Sequence, residues 1–356
     1  MSEIFRGEHF ELSFGLEANY GVDPGTSVLT TPFGVFDRGQ MADPEIEFTP
    51  FYGGGGVQAR RYFRAYRGRW ALEASVADVL LLDGKVLALP LGSVVTTGPV
   101  GSVYTHTISE ETLLKSLTMH ASFWRADDAA GSPRLMRRYI GGKVGRATLT
   151  AEENERLRLS FDSVLFKNLS HNISGVDKYA AGVARPTVSY PTTEPYFFSG
   201  GILKVTGAQM TETTFARVRS FRLDINNNVE AKYYVAGHDP AIPIPYTVLE
   251  GKREYTLAVT VDPTDHDLYS EVLRSGRSGA GLEIGIKAVM TISRGTDDYI
   301  EISAPSGTPS LTNQGGFIRR GRLDIDSGSP AISQELEILT RSVSVVAKDL
   351  SPWTGW

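Results

Sequence analysis

Histidine is the side chain best suited to acid–base and metal chemistry near neutral pH. Six occur here, at positions 9, 106, 120, 171, 238 and 266. No two stand at metal-ligand spacing, and there is no His-Glu-x-x-His run. His120 alternates with apolar neighbours in the stretch Leu117–Phe123, which predicts a solvated place on the polar side of a strand. Asp262, Asp265, His266 and Asp267 form the densest acidic cluster and have the chemistry to ligate a hard cation. Acids gathered at a helix start explain the same cluster without an ion. Gly53–Gly56 lacks the Gly-Lys-Ser/Thr that completes a phosphate loop, and reads as a hinge. No Gly-x-Ser-x-Gly elbow is present. With Cys 0 there is no thiolate nucleophile, disulfide or Cys-ligated zinc. Carboxylate pairs of the glycosidase type are set by the fold and cannot be read from spacing. The expectation is a protein that is not an enzyme and needs no cofactor or metal.

The elements that would position any site have a period of two. Leu282, Ile284, Ile286, Ala288, Met290 and Ile292 share one face, with Glu283, Gly285, Lys287 and Thr291 on the other. The same alternation runs through Tyr255–Val261, Phe221–Ile225, Leu117–Phe123, Leu157–Phe161 and Trp70–Val76, and in shorter form through Leu203–Val205, Ile300–Ile302 and Leu323–Ile325. Extended chain with one dry and one wet face is the material of antiparallel sandwiches and barrels, so the class is all-β. Helices are few. Thr264-Asp-His-Asp267 forms a capping box that starts a helix through Leu273. Ala77–Leu82 reads as a second helix or an apolar strand, and Ser109–Lys115 as a single helical turn.

At 356 residues, with 41% hydrophobic and 22% charged residues, the chain has the composition of about two globular units. Its formal charge of -5 argues against a dedicated duplex-binding surface. No apolar run is long enough for a membrane helix. The opening Met1-Ser-Glu-Ile-Phe-Arg6 lacks the layout of a secretory signal. A reducing cytoplasm is the expected place of synthesis, so the glycosylation-like Asn168-Leu-Ser170 and Asn172-Ile-Ser174 carry no consequence.

Residues 21–56, 168–199 and 238–250 look irregular, being rich in Pro, Gly and Asn. The first of these also holds Phe33, Phe36, Phe48, Phe51 and Tyr52, whereas disordered segments are poor in aromatics. An arm that orders against a partner is the expected reading. The organisation is then 1–56 as arm and first strand, 57–180 as a first β unit, 181–198 as linker, 199–350 as a second unit and 351–356 as tail. Gly68-Arg-Trp-Ala-Leu-Glu73, Ala77 and Leu117 follow the same order of elements as Gly251-Lys-Arg-Glu-Tyr-Thr-Leu257, Asp265 and Leu282. Each half closes on a charged alternating strand, Arg156–Asp162 and Glu335–Val345. Duplication explains this order, and so does the chance likeness of one β meander to another.

Several motifs resemble the tail tube, or major tail, proteins of long-tailed bacteriophages of the non-contractile kind. They are Leu12-Ser-Phe-Gly-Leu-Glu-Ala-Asn-Tyr-Gly21 with Val-Asp-Pro-Gly25; Tyr139-Ile-Gly-Gly-Lys-Val144; Phe221-Arg-Leu-Asp-Ile-Asn-Asn-Asn228; and Ala241-Ile-Pro-Ile-Pro-Tyr-Thr-Val-Leu-Glu-Gly251, leading to Leu268-Tyr-Ser-Glu-Val-Leu273. Their order carries the resemblance, which spans most of 10–275. It implies a β-sandwich or barrel-like fold with one or two short helices, duplicated into two tube domains or single with decoration after 280. It implies a virion protein, made in the host cytoplasm, whose copies form stacked rings around a channel for DNA. Three chains would close the ring if the halves are duplicates, and six if they are not. Implied partners are further copies of itself, the tape measure protein, the tail terminator and tail tip proteins, with DNA as transient, repelled cargo. On this reading Phe33, Phe36, Phe48, Phe51, Trp353 and Trp356 make inter-subunit contacts, and Glu73, Asp162, Asp224 and Glu283 are the candidate acids facing the channel. The alternative is a β-sandwich module of a virion that binds carbohydrate or a receptor; a glycan hydrolase on a β-sandwich is a further rival.

Overall fold

The computed structural model describes residues 5–34, 38–41, 45–52, 62–125, 133, 135–173, 185–207, 213–215, 218–234, 244–262, 273, 285–309, 315–324 and 332–353. In chain order the strands are β1 (Phe5–Leu16), β2 (Thr31–Pro32), β3 (Arg38–Gln40), β4 (Glu45–Tyr52), β5 (Tyr62–Ala71), β6 (Glu73–Leu80), β7 (Gly92–Val100) and β8 (Val103–Glu110). Next come β9 (Leu117–Arg125), β10 (Leu135–Glu152), β11 (Arg158–Leu165), β12 (Asn168–Ile173), β13 (Gly201–Thr206), β14 (Thr213–Phe215) and β15 (Val218–Asn226). The chain ends with β16 (Glu230–Lys232), β17 (Thr247–Leu249), β18 (Glu254–Val261), β19 (Lys287–Gly295), β20 (Asp298–Ala304), β21 (Phe317–Asp324), β22 (Ser333–Thr340) and β23 (Ser344–Asp349). A short helix, α1 (Ala88–Leu91), follows β6.

All-β is the class, and the alternating stretches form strands wherever they are described. In β18 every second residue is buried, Tyr255, Leu257, Val259 and Val261, while Glu254, Thr256, Ala258 and Thr260 lie on the wetter side. Ala77–Leu82 is not helical: Ala77–Leu80 complete β6, paired with β11 through Val79–Leu159 and Leu80–Arg158. Its apolar run breaks the alternation because Asp78 takes φ 56°, a kink that puts two residues opposite one. The turn expected at Ser109–Lys115 is instead the end of β8 followed by irregular chain. The capping box at Thr264 lies outside the described residues.

The sheets reveal the organisation. β10 is long enough to belong to two of them. Its first part pairs with β9 and β12, and its second part with β11 and β15. The switch falls at Gly141-Gly142. Gly141 has φ +71°, and a Cβ on Gly142 would stand 2.4 Å from the Phe166 ring, so only glycine passes this corner without displacing it. One sheet then runs β2-β1-β9-β10-β12. Another runs β3-β6-β11-β10-β15-β18-β22-β21, all neighbours antiparallel. A third runs β14-β13-β19-β20-β23-β8-β7.

The same connectivity occurs twice. In the second sheet, β3, β6, β10 and β11 stand in the spatial order first, second, fourth, third. So do β15, β18, β21 and β22. Outside it, β2-β1-β9-β10-β12 has its counterpart in β14-β13-β19-β20-β23. A Gly-Gly pair marks the sheet switch in both, Gly141-Gly142 and Gly315-Gly316, the second between β20 and β21. Repeat one therefore spans about 5–173 and repeat two about 201–349. Of the described part of residues 1–56, β1, β2 and β3 are built into the sheets of the first repeat, while β4 pairs with β5. The repeats share one apolar core, and β10–β15 and β8–β23 pairs cross between them.

Candidate functional site

The eight-strand sheet β3-β6-β11-β10-β15-β18-β22-β21 has one face in the core and one face free. The core face carries Phe161, Ala147, Leu149, Leu223, Leu257 and Ile338, all buried. On the free face, strand register lays the polar side chains in rows. One row reads Ser160, Thr148, Asp224, Thr256; the next reads Arg158, Thr150, Arg222. A shallow polar groove on this face is lined by Arg146, Thr148, Asp162, Arg222, Asp224 and Glu254, among others.

Here the structure brings together two of the four candidate acids, Asp162 and Asp224. The Thr148 hydroxyl lies 2.7 Å from Asp162 Oδ2 and 2.9 Å from Asp224 Oδ1. Arg222 donates through Nε and Nη2 to both oxygens of Asp224, and this partner pushes the guanidinium pKa up. Glu73 accepts from Ser163 Oγ at 2.5 Å. Glu283 lies outside the described residues. The face is of mixed sign rather than acidic, because Arg146, Arg158, Arg222, Arg320 and Arg322 stand among the carboxylates. Arg222–Asp224 and Arg319–Glu337 are paired on this sheet, and Arg219–Asp262 joins its neighbouring strand ends. Among the described residues no group of three or more His, Asp or Glu side chains could hold a metal ion.

The outermost strands of this sheet, β3 and β21, each pair with a single neighbour among the described residues. On β21, Phe317 and Leu323 remain 40% and 38% exposed. Leu323 faces the core side opposite the fully buried Gln334, so its exposure reflects an uncovered border rather than a wet face. Among the described residues, strands β4 and β5 pair only with each other, as a two-stranded ribbon.

The aromatic side chains expected to reach a neighbouring subunit divide. Phe33 is buried within its own chain, its ring centroid 4.7 Å from Phe14 and 5.6 Å from Phe161. Its segment bends back onto the sandwich, so Phe33 is a core residue. Phe48 and Phe51 lie on the ribbon strand β4, in register with Arg67 and Arg64. Trp353 is likewise held inside its own chain, stacked on His106 and bonded to Asp349. Phe36 and Trp356 lie outside the described residues.

His120 is the other correction. It is 1% exposed rather than solvated, because residues 23–26 and Arg185 cover the polar face of the β1-β9-β10 sheet. Its Nε2 meets Ser122 Oγ at 2.9 Å and its Nδ1 accepts from Arg138. Arg138 in turn binds Asp23 and Thr26, and Arg185 binds Glu11. Burial first, then the Arg138 charge, lowers the His120 pKa to about 3, so it is neutral. Alternation identifies which face a residue occupies and is silent on what loop covers that face.

The family model described as phage tail tube protein matches residues 11–338. No curated protein matches the chain.

Proposed function

The chain belongs to the phage tail tube protein family and is a structural component of the virion tail, and from that premise we propose that its copies close into rings, stacked into a hollow tube for DNA. The observation that supports this is the free-faced sheet of eight antiparallel strands, bounded on both sides by strands with one neighbour each. Such borders template association, and joining them edge to edge satisfies their backbone groups. The polar face then turns to the channel and the apolar face stays in the core of each subunit.

Strand count favours three chains per ring. Three copies supply about 24 strands, which at the spacing of a tilted sheet enclose roughly 35–50 Å between opposite backbones. Six copies would open about twice that width, far more than one hydrated duplex needs. Two repeats per chain make the trimer pseudo-sixfold. A channel of mixed sign, with Arg222 held by Asp224, offers passing phosphates few free cations; strong cationic contacts would retain DNA. No catalytic step is needed for this role. The tape measure, terminator and tip proteins are the partners such a tube would meet at its axis and ends.

Negative-stain microscopy of the purified chain tests the reading. Hollow tubes or stacked rings with threefold or pseudo-sixfold averages are expected. A monodisperse monomer at high concentration overturns it. No helix among the described residues is long and apolar enough to cross a membrane, and the test needs no lipid.

A further inference from the structure

A cavity of about 420 Å³ opens where the two repeats meet. Repeat one contributes residues 30–34 and several from 80–86, and the segment between the repeats contributes 189–193. Repeat two contributes Arg294 on β19, Asp298 on β20 and residues 349–351 at the end of β23. The volume is far above the roughly 30 Å³ of one water. It falls within the range of small-molecule sites, about 300–1,000 Å³. We propose that this cavity binds a neutral saccharide, whose hydroxyl edge donates to Asp83 while its C–H face rests on Tyr190 and Leu350.

The charges in the wall decide that the ligand is neutral. Arg294 donates through Nε and Nη2 to both oxygens of Asp298, at 3.0 and 2.9 Å, and through Nη1 to the Leu82 and Glu194 carbonyls. Its guanidinium carbon lies 3.9 Å from the centre of the Tyr196 ring. Asp349 accepts from the Trp353 indole and the Ser351 N–H and meets His106. Asp83 accepts the Lys85 N–H at 2.9 Å, with the Lys85 and Arg294 charges acting on it. A charged ligand would therefore leave water without a counter-charge of its own. Hydroxyl groups carry no such cost, and Asp83 has use for them. Burial raises its pKa despite Lys85, the mark of a carboxylate short of donors. Much of the remaining wall bears hydroxyls, including Thr30, Thr31, Ser189, Thr192 and Ser351, which suit a ligand that both donates and accepts. Tyr190 and Leu350 stay 50% and 70% exposed, so an aromatic and an aliphatic face remain open to the apolar side of a sugar ring.

The cavity lies within one chain, so the site stands or falls independently of ring formation. Saturation-transfer NMR on the purified full chain tests it. Glucose, galactose and N-acetylglucosamine are titrated as free sugars and as methyl glycosides, which stand in for the end unit of a polysaccharide. At least one should bind with a dissociation constant of about 1 mM or tighter. Asp83→Asn keeps an acceptor for the Lys85 N–H and should weaken that sugar about tenfold, the loss of a charge-assisted contact. If Asp83→Asn does not fold, Thr192→Trp takes its place: position 192 is exposed, and the indole should fill the cavity and abolish transfer. Binding of a methyl glycoside as well as the free sugar assigns the site to the end of a polysaccharide, and binding of the free sugar alone to a soluble saccharide. Tighter binding of glucosamine or glucuronate than of glucose overturns the neutral ligand. No transfer to any of these sugars, or transfer unchanged in both variants, overturns the site.

Discussion

The imidazole of His106 and the indole of Trp353 lie parallel, their centroids 3.8 Å apart and their planes within 1°. Both are tied to one carboxylate: Trp353 Nε1 donates to Asp349 Oδ2 at 2.9 Å, and His106 Nε2 lies 3.2 Å from Asp349 Oδ1. Thr96 holds the other imidazole nitrogen at 2.9 Å. Burial raises the Asp349 pKa, but the His106, Ser351 and Trp353 bonds outweigh it and the net shift is downward. The C-terminal segment is thereby fastened over β8 and β23.

Trp353→Ala removes the stack and the indole donor together and leaves a cavity at a site 5% exposed. A loss of about 3–5 kcal/mol is expected, as for other buried tryptophans. Trp353→Phe keeps an aromatic face on His106 and loses only the hydrogen bond, so it should cost about 1 kcal/mol. Thermal and denaturant unfolding of the two variants check the order. Equal stability of Trp353→Ala and the parent would show that the tail is frayed in solution.

His120 makes stability depend on pH with a definite sign. Its folded pKa, about 3, lies below the ordinary value of 6.5, so between these values the unfolded chain binds the extra proton. Folding stability therefore falls as pH drops below 6.5, by up to about 1.4 kcal/mol per pH unit from this group. Asp23, Arg138 and Arg185 are the charged groups that face it. His120→Asn, which cannot take up the proton, should flatten the difference between pH 6.5 and pH 4 in urea unfolding. Parallel curves for parent and variant would refute the assignment.

Much of this fold was legible from period-two alternation, because a strand with one buried face writes its burial into the sequence. Tyr255–Val261, Phe221–Ile225 and Leu117–Phe123 are strands for that reason. The repeated connectivity was hinted at by the order of elements and took definite form only with strand pairing, since Gly141-Gly142 and Gly315-Gly316 mean little until the strands on either side of each are seen to lie in different sheets. What stayed hidden was tertiary. Nothing local distinguishes Phe33, which turns inward, from Phe48 on the ribbon, and nothing around His120 announces the loop at Asp23–Thr26 that covers it. Of the four acids singled out, Asp162 and Asp224 meet around the Thr148 hydroxyl, but spacing alone did not pair Arg222 with Asp224.

Gly142 is the sharpest steric constraint in the first repeat. A methyl there would meet Phe166 at 2.4 Å and the Leu117 carbonyl at 3.0 Å, both in packed surroundings. Gly142→Ala should cost about 1–3 kcal/mol by overpacking. Gly316→Ala is the matching test in the second repeat, where the methyl would meet Ile338 Cγ2 at 2.6 Å. Similar losses at both, read from denaturant midpoints, are expected if the two corners are equivalent. A neutral result at either would show that its corner relaxes.

The β4–β5 ribbon separates folding from assembly. Deleting all of 21–56 would strip out β2, β3 and the buried Leu29 and Phe33, and should unfold the first repeat. A narrower change replaces residues 47–69 with Asn-Gly, a pair that closes a two-residue hairpin by accepting positive φ at both positions. Ile46 and Trp70 are opposite one another, so the cut falls at matched positions and the remaining strand ends stay in register. Among the described residues β4 and β5 pair only with each other, hence the other sheets lose no partner and the monomer should melt within about 2 °C of the parent. Phe48 and Phe51, two of the aromatic side chains proposed to bridge successive rings, go with the ribbon, each able to contribute roughly 1.5–3 kcal/mol when fully buried. Single rings without long tubes are therefore expected by electron microscopy. Tubes of parental length from this variant would show that the ribbon takes no part in stacking, and a collapse in melting temperature would place it in the core instead.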